Sequence, residues 1–328
     1  MNKRRRLIVA IGAGALAAPL ACFAQQQTAK VPRIGLILAS AVSDMPIQIE
    51  ALRAGLRELG YVEGKNIVLE FRSSEGNYGR LPELAAELVR LKVDIIVSPG
   101  TPATQAAKAA TTTIPVVMVG AGDPVASGLV ASLARPGGNV TGTSNLSPEL
   151  LVKRLELLKE AHPSVRRVAV LLNPANPAQK LSFEAVETAA KALKIEVLKF
   201  EVRNLDEIKS AFSAMAKQRI DGVAVANDQM LITNSGAIAE LAASQRIPSS
   251  GRSEFPQSGG LIGYGIDLAD SYRYSTIYID KILKGAKPAN LPVEQPSKYV
   301  VVVNLKTAKA LGIKISNSIL VRADKVIE

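Results

Sequence analysis

Tryptophan is absent from this 328-residue chain, histidine and cysteine occur once each, and aromatic residues make up only 4%. One His and one Cys exclude a His/Cys metal cluster and a Cys–His nucleophile pair, and a single Cys leaves no internal disulfide to form. No Gly-x-Ser-x-Gly nucleophile elbow and no Gly-Lys-Ser/Thr phosphate loop occurs, and Gly120-Ala-Gly122 lacks the third glycine of a dinucleotide fingerprint. No resident cofactor is expected. The formal charge is +11, but Lys3, Arg4, Arg5 and Arg6 concentrate four of the cations at the start. The remaining basic residues are scattered among acids with no aromatic interleaving, which argues against nucleic-acid binding despite the high pI. What is present is 48% apolar and 21% charged residues, enough for a substantial core, in a length that suits two lobes.

Residues 1–24 have the pattern of an export signal: the basic Lys3–Arg6, an apolar Leu7–Leu20, and a small-residue cleavage site ending at Ala24. The apolar stretch is short for a membrane span. Cleavage after Ala24 and a periplasmic location are expected. The alternative is a lipid anchor on Cys22, against which Pro19-Leu20-Ala21 places Pro where a lipoprotein signal usually has Leu.

From Asp94 to Ser144 one unit occurs twice. Asp94-Ile-Ile-Val-Ser-Pro-Gly-Thr-Pro-Ala-Thr104 and Ile114-Pro-Val-Val-Met-Val-Gly-Ala-Gly-Asp-Pro124 are each a short apolar run ending in small, polar and breaker residues. Continuous Val/Ile runs suit strands buried on both faces, as in parallel sheets covered by helices. Ligands of open α/β sheets sit beyond the strands' carboxyl ends, and here those ends carry Ser98, Thr101, Thr104 and Asp123. For any one of these residues, capping the following helix is the simpler reading; the set together points to a site. Strands at Val31–Ser40 and Asn66–Phe71, and helices at Ile47–Leu59 and Arg80–Leu91, complete a first β-α-β-α-β alternation. A short helix is expected near Val125–Leu133. The Pro/Gly-rich Arg135–Ser144 stretch is a candidate hinge. The alternation then restarts, with strands at Arg167–Leu172, Ile195–Val202 and Gly222–Ala226, so that a second sheet presents Asn173, Asn176, Asn227 and Asp228 at its strand ends. For Asn173 and Asn176, each beside Pro, turn chemistry is the simpler reading. A Gly-rich strand, Gly259–Asp267, carries Tyr264, which offers either a ring to a ligand or ordinary packing. The fold class expected is α/β with two doubly wound parallel-sheet lobes.

Several stretches carry a resemblance: Gly55–Ile67, Thr101-Pro-Ala-Thr-Gln-Ala-Ala107, Gly122–Leu129, Arg135-Pro-Gly-Gly-Asn-Val-Thr-Gly142, Asn173-Pro174 and Tyr264-Gly-Ile-Asp267. Together, over nearly all of the chain after the signal, they resemble exported substrate-binding proteins of ABC transporters, in the family whose members bind tryptophan or tyrosine. The resemblance implies a type I periplasmic-binding fold with three hinge crossings. Residues 31–142 with 256–286 would form the first lobe, and 143–255 with 287–328 the second. It further implies a monomer that holds a small-molecule ligand, such as an amino acid or related polar solute, and delivers it to a membrane permease. Carried over by position, the cleft would be lined by Ser40, Thr101, Asp123, Ser144, Asn145, Asn173, Asn227, Asp228 and Tyr264. Thr101 and nearby amides would hold a carboxylate at a helix N-terminus, and Asp123 or Asp228 would face an ammonium group. With no Trp and few aromatics, the chain has few walls for a sandwich around an indole.

Two rival readings share this sequence. An exported hydrolase is disfavoured, since His162 stands beside Pro163 far from the candidate loops. A ligand-sensing module reporting to a receptor would need the same cleft as a transport protein. N-terminal sequencing of the exported protein is expected to read Gln25 first; a lipid-modified Cys22 at the terminus would overturn that assignment.

Overall fold

Alternation of buried strands and amphipathic helices generates two sheets in the computed structural model, which describes residues 30–328 apart from Leu146 and Ser297. The expected export signal and Cys22 lie outside the described residues.

In the first sheet the strands run β2-β1-β3-β4-β5, all parallel. They are β1 (Arg33–Leu38), β2 (Val68–Ser73), β3 (Ile95–Pro99), β4 (Val116–Ala121) and β5 (Val140–Ser144). Alternation along β1 sends Ile34, Leu36 and Leu38 to one face and Ile37 to the other, and all four are fully buried. The first face packs against Leu52 and Leu56 of α1 (Pro46–Glu58) and against Tyr272 and Ile279 of α9 (Leu268–Leu283). The second packs against Leu84 and Leu88 of α2 (Leu81–Arg90) and Ala103 and Ala107 of α3 (Gly100–Ala110). Each such Leu or Ile contributes about 1.5–3 kcal/mol by leaving water, which is why helix must cover both faces.

The second sheet has the order β12-β11-β10-β9-β8-β6-β7. It comprises β6 (Arg167–Leu172), β7 (Glu196–Glu201), β8 (Gly222–Val225), β9 (Ser249–Gly251), β10 (Ile262–Gly265), β11 (Val300–Asn304) and β12 (Lys325–Ile327). Its neighbours are parallel except for the antiparallel β10–β11 pair. Helices α4 (Ser147–Ala161), α5 (Ala178–Leu193), α6 (Leu205–Lys217), α7 (Gln229–Thr233) and α8 (Ser235–Ser244) alternate with its strands. Two further short helices, α10 (Leu305–Leu311) and α11 (Asn317–Arg322), close the chain around β12.

Sheet membership corrects the expected lobe boundaries. Residues 256–265, expected in the first lobe, run in the second sheet, because Leu261 and Ile262 are buried against Leu157, Ala161, Val303 and Ile319. The chain returns to the first sheet only after β10, where Asp267 accepts the backbone N–H groups of Ala269 and Asp270 and starts α9. Residues 143–144, expected in the second lobe, are the end of β5 in the first sheet. Glu294 still holds the β5 edge, donating its N–H to Gly142 and accepting that of Ser144, so residues 289–294, expected in the second lobe, stay with the first sheet. The expected helix near Val125–Leu133 is a series of turns, in a segment broken by Pro124 and Gly128.

Gly142 fixes the geometry at the first crossing. Its φ is +128°, and a Cβ there would stand 2.1 Å from the carbonyl oxygen of Met118, where the β4–β5 register shifts. Gly142→Ala is expected to destabilise the protein by more than about 3 kcal/mol, since β4 and β5 must separate to admit a methyl group. Urea unfolding of the variant against the parent measures this.

Candidate functional site

The carboxyl ends of β1, β3 and β4 face those of β6 and β8, and a cavity of about 60 Å³ lies between them. One wall is the first turn of α3, Gly100-Thr101-Pro102-Ala103. The opposite wall is Asn176, Ala178, Asn227 and Asp228, while Arg252, Ser271 and Tyr272 also line the cavity. No side chain caps α3, whose preceding residue is Pro99, so its first-turn amides are open to an acceptor group in the cavity.

The two halves are closed on one another by direct bonds. The Tyr78 hydroxyl donates to Asp228 Oδ2 at 3.0 Å, and the hydroxyls of Ser40 and Thr233 bond at 2.9 Å. Gly122 makes the approach possible: a Cβ there would lie 2.9 Å from the Ala178 Cβ.

Asp228 is the centre of the far wall. Its Oδ1 accepts from Asn173 Nδ2 at 3.1 Å and the Met230 N–H at 3.0 Å; its Oδ2 accepts from Asn176 Nδ2 at 3.0 Å and from Tyr78. Burial pushes its pKa up, against the pull of the hydrogen bonds from Asn176, Asn173 and Tyr78. Burial and the neighbouring Asp228 push the Tyr78 phenol up, so that it remains a proton donor. A carboxylate offers about four acceptor positions, and all four are taken.

Of the expected site residues, Thr101, Asn145, Asn227 and Asp228 line the cavity. The Thr101 hydroxyl accepts the N–H of Gly122 at 3.1 Å and keeps its own proton to donate. Asn145 is spent inside the protein, donating to the Gly120 carbonyl of β4 at 2.8 Å and accepting from Ser147 at the start of α4. Ser40 and Asn173 line a separate groove of about 670 Å³ at the cleft mouth. Three expectations are corrected. Asp123 does not line the cavity; its carboxylate caps the turn by accepting the N–H groups of Val125 and Ala126. Ser144 lies fully buried in β5 and does not reach the cavity. Tyr264 stacks on Tyr299 at 5.9 Å between ring centres, away from the cavity.

Sequence reasoning missed Tyr78, Arg252, Tyr272 and Arg154. Arg154 is fully buried behind the far wall, donating to the carbonyls of Tyr264 and Val225 and to Asn227 Oδ1 at 2.7 Å. Burial, then the nearby Arg252, push its pKa down to about 9, which leaves it a cation at neutral pH. One signal pointed to it: Leu150, Leu151, Leu155 and Leu158 mark the apolar stripe of α4, and Arg154 sits within that stripe. Nothing in the local sequence distinguishes Arg252.

The sequence profile described as ABC transporter substrate binding protein matches residues 41–327. A tyrosine-binding protein of Clostridioides difficile (strain R20291) is 30% identical over 261 residues, covering 79% of this chain and 74% of that protein. An ABC domain from Streptococcus pneumoniae, solved in complex with L-Trp, shares 30% identity and a TM-score of 0.84, covering 90% of this chain and 99% of that one. The ligand-free, open structure of a substrate-binding protein with adhesive properties from Clostridium difficile shares 26% identity and covers 90% of this chain and 99% of its own, yet its TM-score is 0.64. The chain is therefore closer in overall shape to the L-Trp complex than to the open, ligand-free structure.

Asp228→Asn changes no volume but turns one acceptor oxygen into a donor facing donors. It is expected to cost about 2–4 kcal/mol of stability, measured by chemical denaturation. An unchanged midpoint would show that the four bonds are not formed in solution.

Proposed function

The chain belongs to the ABC transporter substrate-binding protein family, and we propose that it captures a small carboxylate-bearing solute, an amino acid or a close relative, between its lobes and delivers it to a membrane permease. The observation that supports this reading most is the cavity between facing strand ends, with hydrogen bonds joining the two lobes beside it. Solute-binding relatives whose names specify tyrosine and L-Trp support the ligand's size class. Delivery to a permease, an exported periplasmic location and a monomeric state are parts of the same proposal, and the family match supports the first two. No helix among the described residues is long and apolar enough to cross a membrane.

In this reading the ligand meets the open first-turn amides and the Thr101 hydroxyl of α3 on one lobe and the far wall on the other. Closure is a shift of population toward the state that completes both walls, so the ligand's affinity bears the cost of the shift. The chemistry is binding and not turnover. His162, the sole histidine, bonds Ser164 on the surface at 2.8 Å and does not line the cavity.

A thermal-shift screen of amino acids, small organic acids, nucleosides and sugars tests the reading. A ligand at a hundred times its Kd stabilises the fold by about 2.7 kcal/mol, which is a rise of several degrees in Tm. Shifts produced only by nucleosides or neutral sugars would replace the proposed ligand class.

A further inference from the structure

Among the described residues, two buried polar groups that line the cavity have no hydrogen-bond partner: Arg252 Nη2 and the Tyr272 hydroxyl. Both residues are more than nine-tenths buried, with exposures of 9% and 1%. They arrive from different elements, Arg252 just after β9 and Tyr272 from α9, so the pair exists only once the second crossing has been made. A buried guanidinium N–H without an acceptor carries its full desolvation cost, which an incoming acceptor would remove.

The charges around this pair are unequal. Arg252 Nε reaches Glu254 Oε2 at 3.3 Å, but the Glu254 side chain is 44% exposed and solvent screens the pair. Arg154, close enough to Arg252 to be repelled by it, bonds only to neutral oxygens. Two guanidinium groups therefore share one carboxylate that is partly in water. On the other side of the ledger, Asp228 is the only carboxylate among the described residues lining the cavity, and its four acceptor positions are filled from within the protein.

We infer that the ligand is an organic anion without an ammonium group, with its carboxylate seated on Arg252 and Tyr272. This rests on the proposed capture of a small carboxylate. A planar guanidinium is matched to a carboxylate, and the tyrosine hydroxyl adds a second donor to the same group. The α3 amides and Thr101 then serve a further acceptor on the ligand, such as a carbonyl or hydroxyl. A zwitterionic amino acid would bring an ammonium group that must displace one of the donors to Asp228 or remain unneutralised beside two cations. Either alternative costs more than the ammonium returns.

The test uses matched pairs on the mature protein by isothermal titration: L-tyrosine with phloretate, L-phenylalanine with hydrocinnamate, L-leucine with isocaproate, L-aspartate with succinate. The deaminated member of the best-binding pair is expected to bind at least about tenfold tighter than its amino acid. Arg252→Gln is expected to weaken it by about tenfold or more, Arg252→Lys to recover part of the loss, and both variants to keep the parent's circular-dichroism spectrum. Tighter binding of the amino acid in every pair that binds overturns the inference and leaves the proposed function standing, as does an Arg252→Gln variant that binds with parental affinity. Should Arg252→Gln fail to fold, the pairs on the parent protein decide alone. If no member of any pair binds the parent, the small-carboxylate reading falls, and this inference falls with it.

Discussion

A buried carboxylate, that of Asp228, is the constraint on which the cleft depends. Removing an ionised carboxylate from water costs several kcal/mol unless its lone pairs are met. Here the local chain meets three of them, through Asn173, Asn176 and the Met230 N–H at the start of α7. The fourth is met by Tyr78, which belongs to the other lobe. Lobe closure therefore completes the coordination of one residue, and in the open state water must take the place of the phenol. The same bonds give Asp228 an architectural task, holding Asn173, Asn176, the start of α7 and Tyr78 together.

Around that centre the packing tolerances are narrow. Gly122 brings the first lobe within a methyl's width of Ala178, and Ser40 meets Thr233 at the rim. Neither contact is large, and both join one lobe to the other. The charge distribution is lopsided as well: the cations of Arg154 and Arg252 lie on the far side, and no acceptor position of a cavity carboxylate stands open to offset them.

Much of the fold was legible in the residues. Val and Ile runs such as Ile95–Val97 and Val168–Leu172 can be stable only when buried on both faces, and that requirement alone leads to helix-covered parallel sheets. Individual strand ends were legible in part. Thr101 follows a strand and opens a helix, and it does line the cavity, whereas Asp123 stands in the same local pattern and only caps a turn. The local chemistry of the two is alike; the difference is which way the chain leaves the sheet. Tyr264 likewise sits on a Gly-rich strand, but that strand lies inside the second sheet, so its ring finds Tyr299 and not the cavity.

The sequence by itself determined the periodic features: two helix-covered sheets, polar residues at the strand ends, and a basic, apolar start to the chain. These are local consequences of burial and turn chemistry, written within ten or so neighbouring residues. Tertiary structure decided where the chain crosses between the sheets, that β11 runs antiparallel to β10, and that Tyr78, Arg252 and Tyr272 share one cavity with Asp228. Tyr78 and Asp228 are 150 residues apart. No short-range pattern can encode a hydrogen bond between two surfaces that meet only when both lobes have folded and closed.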